Sequence, residues 1–119
     1  MTFWIAGWLR AFGLTLLFEL PVATPLLATA ERRTARRLAG VVVANLATHP
    51  LVWFLFPGLA LGRWGRFAAA EAWAFAAETA VYLVIWPALG ARRAALVSLL
   101  ANGTSAVAGL LLARYLTAG

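Results

Sequence analysis

The sequence predicts an all-α integral membrane protein: one domain, residues 1–119, forming a bundle of four transmembrane helices. Three observations predict it. The chain is 64% hydrophobic with a mean hydropathy of +0.87, too apolar for a soluble domain of this length to cover its surface with polar groups. The apolar residues gather into four runs of about 20, and a helix rising ~1.5 Å per residue then crosses a ~30 Å hydrocarbon core. No segment alternates polar and apolar residues as a membrane barrel strand must.

The first run covers residues 11–30, between Arg10 and the Glu31-Arg32-Arg33 cluster. Phe3, Trp4 and Trp8 ahead of it read as an interfacial anchor. Ala28-Thr29-Ala30 has the form of a signal-peptidase site. Glu19, Pro21 and Pro25 interrupt the preceding run, however, and the first nine residues carry no basic side chain, so a retained first helix is expected. The second run covers residues 38–57, the third 67–89 and the fourth 94–116. Trp53, Trp64 and Trp86 lie near run ends and read as further interfacial anchors. Short connections make consecutive helices antiparallel neighbours.

All ten basic residues are arginine, and there is no lysine, aspartate or cysteine. Disulfides, thiolate metal sites and cysteine nucleophiles are thereby excluded. The net charge of +6 comes from arginines set between apolar runs, not along one face with aromatics, so nucleic acid is not an expected partner. Arg32, Arg33, Arg36, Arg37, Arg92 and Arg93 fall on one side of the predicted bundle, against Arg10, Arg63, Arg66 and Arg114 on the other. The positive-inside rule then puts both termini outside, in a prokaryotic cytoplasmic membrane. The Arg32, Arg33, Arg36, Arg37 loop would also attract anionic lipid.

The functional signal is polar. Glu19, Glu71, Glu78 and the single histidine, His49, fall inside the apolar runs. An ionisable group at mid-membrane costs roughly 2.5–3.5 kcal/mol on insertion scales, so its presence points to a site. The two halves echo each other. Glu19 precedes Asn45 by 26 residues and Glu78 precedes Asn102 by 24; each asparagine is followed three residues later by a hydroxyl, Thr48 or Ser105. Two hairpins of this kind would form a parallel repeat about an axis along the membrane normal, bringing both glutamates and both asparagines to one depth.

Helical spacing supports that convergence. Glu71, Ala74, Glu78 and Tyr82 share one stripe; Asn45, Thr48, His49 and Val52 share another; Ser98, Asn102, Ser105 and Gly109 share a third. Thr15 lies one turn before Glu19. Pro21, Pro25, Pro50 and Pro87 are each expected to leave a helical carbonyl without its donor. Small-residue stripes, Ala101, Ser105, Gly109, Ala113 and Ala72, Ala76, Ala80, would serve packing within the chain and between protomers of a homo-oligomer.

These residues suit a proton- or cation-linked transporter or channel component. Glu19 and Glu78 would be its ionisable centre, with Glu71 an outer step. His49 would be proton partner or ligand, and Asn45, Thr48, Tyr82, Asn102 and Ser105 the orienting groups. A divalent metal held by Glu19, His49 and Glu78 is a further expectation; no other cofactor is implied. Two alternatives stay open, a membrane-embedded enzyme acting on a lipid-like substrate with a glutamate base, and a structural subunit of a larger membrane complex.

Asn45-x-x-Thr48-x-Pro50, then Glu71-x6-Glu78-x3-Tyr82, then Asn102-x-x-Ser105 resembles a pattern in small, uncharacterised four-span bacterial and archaeal membrane proteins. The likeness covers the second to fourth runs. It implies a compact bundle with a polar interior and supplies no activity. The chain is similar to small multidrug transporters in having four spans and a glutamate in the first. It departs from them around Glu19, where Pro21 and Pro25 follow closely, and in its third-span glutamates.

Overall fold

A computed structural model describes residues 2–118. Those residues form four long helices, and no strand occurs among them. α1 runs Thr2–Leu26 and ends in a 3-10 turn, Leu27–Thr29. α2 runs Thr34–Pro50, α3 Arg63–Ile85 and α4 Ala91–Ala118. All four, with their terminal turns, are long and apolar enough to cross a membrane. α1 packs against α2 and α4, and α3 against the same two, so the helices stand at the corners of a square in chain order.

The prolines act in three ways. Pro21 and Pro25 lie inside α1, which continues through both. Pro50 closes α2, and the chain then widens into a π turn, Leu51–Leu55, in which the Phe56 N–H reaches back to the Leu51 carbonyl. A proline has no N–H to give the carbonyl four residues back, and beyond Pro50 the chain continues in the rarer, wider π pattern. Pro87 corrects the sequence reading. α3 has already ended at Ile85, and Pro87 opens a separate 3-10 turn, Pro87–Leu89. It therefore kinks no helix. Gly90 follows at φ 81°, which an L side chain rarely adopts, and this turns the chain into α4.

Two other expectations change. α1 starts at Thr2, so the first helix begins well before residue 11 and carries Phe3, Trp4 and Trp8 in its first two turns. Trp86 is no interfacial anchor. It is buried, stacks on Tyr82 with ring centroids 6.3 Å apart, and lies against Gly40, where a Cβ would overlap its ring. Gly40 is thus the close-approach point of α2 and the end of α3. Trp64 is exposed, and Trp53 is half-buried against Gly7.

The bundle is apolar outside and carries a polar cluster within its apolar core. Leu17, Val84, Leu99, Val107 and Leu111 are exposed, whereas Glu19, Asn45, Thr48, Glu78, Ser98 and Asn102 are buried. Ala72, Ala76 and Ala80 also face outward, while Ala101 is buried. The buried layer occupies one half of the molecule, toward the two arginine-bearing connections. Its members are Glu19, Ala23 and Leu27 of α1 and its turn, Gly40 to Thr48 of α2, Glu78 to Leu89 of α3 and its turn, and Ala94 to Asn102 of α4. Toward the chain ends, no described residue before Glu19, after Asn102, or between Thr48 and Glu78 is buried.

Candidate functional site

The buried layer is organised by two carboxylates. Glu19, on α1, accepts from Asn45 Nδ2 at 2.8 Å and from Ser105 Oγ at 3.0 Å. Glu78, on α3, accepts from Asn102 Nδ2 at 2.6 Å and, more weakly, from Thr48 Oγ1 at 3.5 Å. Each glutamate therefore takes its amide from the other helix of its own hairpin and its hydroxyl from the opposite hairpin. Both have zero solvent exposure, so no water-sized space touches either one.

Helical geometry sets the donors. Asn45 spends its second amide hydrogen on the Val41 carbonyl at 3.0 Å, and Asn102 uses the matching Ser98 carbonyl at 2.9 Å. A back-bond one turn away, plus one cross-helix bond, satisfies both N–H groups of each side-chain amide. The hydroxyls are placed differently. Thr48 Oγ1 lies 3.2 Å from the Asn45 carbonyl and Ser105 Oγ lies 3.1 Å from that of Asn102, each three residues back. A hydroxyl owns one hydrogen and two lone pairs. It can give its hydrogen to an ionised glutamate, or turn it to the backbone and accept the O–H of a protonated one. Either protonation state of Glu19 and Glu78 thus finds partners without moving a helix.

No cation balances the pair. Among the described residues the only ion pair is Arg36–Glu31, at 3.6 Å on the surface. Two uncompensated charges in one apolar core would cost several kcal/mol each, and a proton or a bound cation removes that cost.

The remaining predicted site residues lie apart from this network. His49 places Nε2 3.3 Å from Thr15 Oγ1 and packs edge-on against Phe12, with ring centroids 5.5 Å apart. Its Nδ1 is buried without a partner. No ion pair joins it to a glutamate, and among the described residues no three metal-ligating side chains gather in one place. The expected Glu–His pairing and the Glu19, His49, Glu78 metal set are therefore not assembled. The reason is local: Asn45 and Thr48 reach the carboxylates, and His49 falls on the next helical position, facing α1 and Thr15. Glu71 is half-buried and makes no hydrogen bond among the described residues. Tyr82 is fully buried, but its hydroxyl has no partner and its ring packs on Trp86.

The sequence pointed less clearly to Ser98. It is fully buried, lies 3.2 Å from Asn102 Nδ2, and donates to the Phe75 carbonyl at 3.1 Å, tying α4 to α3 below the site. Its place one turn before Asn102 was the available signal. The loop arginines also divide. Arg37 donates to the Thr24 carbonyl at 2.7 Å and to Thr34 Oγ1 at 3.1 Å, tying the end of α1 to the start of α2. Arg32 and Arg33 remain exposed. No family model, curated protein or solved structure matches this chain.

Proposed function

We propose that this is an integral membrane protein of two parallel-repeat hairpins, and that Glu19 and Glu78 form the proton- or cation-binding centre of a transporter or channel component. The observation that carries the reading is the crossed pair of hydrogen bonds, in which each buried carboxylate is held by its own hairpin's amide and the opposite hairpin's hydroxyl. Such a centre changes protonation state without leaving a buried polar group unsatisfied, as a proton carrier in a low-dielectric core requires. It also links the two hairpins, so a change of charge acts on their relative position. The apolar exterior around a buried polar cluster suits a bilayer, and the arginine bias favours both termini outside a prokaryotic cytoplasmic membrane. The outward alanines of α3 are suited to contact between protomers.

A second reading has its own support. Carboxylates with zero exposure and local donors would also suit a structural subunit whose polar network only holds the bundle. A lipid-acting enzyme would need a lateral opening at the glutamates, and a transporter a water path that opens to them; both carboxylates are closed in this structure.

Proton flux separates these readings. The protein is reconstituted into liposomes containing a pH-sensitive dye, and a potassium diffusion potential is imposed with and without sodium. Flux in the wild type that is lost in both Glu19→Gln and Glu78→Gln supports transport. Wild-type liposomes no leakier than empty ones under every cation tested would reject it in favour of the subunit.

A further inference from the structure

Two surface grooves occupy equivalent places on the two seams between the hairpins, at the arginine-bearing end. One, of ≈ 410 Å³, lies between the start of α2 and the end of α3 and includes Arg36, Ala39, Gly40 and Val43. The other, of ≈ 340 Å³, lies between the start of α4 and the end of α1 and includes Arg93, Leu96, Val97 and Leu100. The correspondence holds residue by residue. Arg36 precedes Asn45, and Arg93 precedes Asn102, by the same nine positions, and the three apolar positions after each arginine match in spacing.

The two grooves differ in how the arginine is satisfied. In the first, Glu31 supplies a carboxylate to Arg36 at 3.6 Å and itself lines the groove. In the second, the connection is Trp86 to Gly90 and carries no acid. Arg93 is exposed, without an ion-pair partner among the described residues, at the mouth of a groove walled by Leu26, Leu96 and Leu100 over a Val97 floor. Leu96 and Leu100 are 48% and 49% exposed, so a large part of the wall is open. One groove has its own anion; its counterpart has the same cation, an apolar channel and none.

We infer that the α1–α4 groove holds one anionic phospholipid, its phosphate on Arg93 and an acyl chain along Leu26, Leu96 and Leu100. Charge complementarity selects the headgroup, and the leucine wall selects a lipid over a free phosphate. Arg93 is one of six arginines at this end of the bundle, where an anionic leaflet would lie under the positive-inside orientation. The inference rests on the proposed membrane reading but not on the glutamates or on transport.

The test is native mass spectrometry of the purified full chain released from detergent, with phosphatidylglycerol or phosphatidylcholine of identical chains added. The wild type should retain one phosphatidylglycerol in preference to phosphatidylcholine. Arg93→Gln should weaken that adduct about fivefold, the worth of one arginine near an anionic lipid surface. Leu100→Trp, which fills the acyl channel without changing charge, should lose it as well, while Arg32→Gln, on the exposed loop, should not. Equal loss in Arg32→Gln and Arg93→Gln would mean diffuse charge attraction and overturn the site. So would retention in Leu100→Trp, or equal binding of the two lipids. A chain that failed to enter membranes at all would instead show as loss from the membrane fraction, before any lipid is added.

Discussion

The inner layer of this molecule repeats and its outer layer does not. At the level of the carboxylates the hairpins match: Glu19 with Asn45 and Ser105, Glu78 with Asn102 and Thr48. Seven residues before each glutamate, toward the chain ends, the match fails, because Phe12 stands where the second hairpin has Glu71. Four residues after each asparagine it fails again, with His49 in one half and Ala106 in the other. In the repeated layer the glutamates, asparagines and Thr48 are buried, Ser105 is half-buried, and all are hydrogen-bonded; the unmatched layer is half-exposed, with Glu71 unbonded and His49 Nδ1 unpartnered. The contrast separates two kinds of position: those at the centre are matched and hold Glu19 and Glu78, and those toward the chain ends are unmatched and stand outside the network.

The comparison is broken most severely by removing an amide. Asn45→Leu and Asn102→Leu each leave a buried carboxylate with a single hydroxyl donor, which costs about 2–3 kcal/mol or more. Unfolding in lipid–detergent mixtures should show similar losses for the two, and a loss in only one half would deny their equivalence. Gly40→Leu should come next. Its side chain meets the Trp86 ring, and overpacking of this kind costs about 1–3 kcal/mol. Trp86 fluorescence should shift as the ring is displaced, and an unchanged spectrum and stability would remove Gly40 as the close-approach point.

Smaller effects sharpen the comparison. Ser105→Ala should cost about 0.6–1 kcal/mol, near the average for a hydrogen bond within a membrane. Thr48→Ala should cost less, because its bond to Glu78 is longer, 3.5 Å against 3.0 Å. A reversed order in the same unfolding assay would contradict the assigned partners. Smallest of all should be Glu71→Gln and His49→Phe, with stability changes within about 0.5 kcal/mol, since neither is buried in the network. If the outer layer confers sidedness, these two variants should alter flux in one direction across oriented liposomes and leave stability alone.

The sequence carried the repeated layer well and the outer layer poorly, for physical reasons. Four apolar runs announce four helices because a bilayer-length helix leaves a long, unambiguous signal. The Glu–Asn spacings placed each pair on adjacent antiparallel helices of one hairpin, and the structure joins each pair by an amide hydrogen bond. The crossing of hydroxyls was not legible. Which neighbour Thr48 and Ser105 face depends on how the hairpins sit together, a tertiary property. Trp86 was misread because an aromatic residue at a span end looks the same in an interfacial belt and in a core. Only the absence of a Cβ at Gly40 shows which it is. His49 shares a helix with Asn45 and Thr48 but meets α1 at Thr15, one turn from Glu19, a difference in depth that a shared polar stripe could not resolve. The helix ran back to Thr2 because Arg10 bounds an apolar run without ending a helix.

The most direct test of the central claim is carboxyl infrared difference spectroscopy across pH on lipid-embedded protein, with Glu19→Gln and Glu78→Gln assigning the bands. The account predicts two carboxyl bands that respond to pH or to one cation, each perturbed when the opposite hairpin's hydroxyl is removed by Ser105→Ala or Thr48→Ala. Bands fixed under every condition would contradict it, reducing the pair to sealed structural hydrogen bonds.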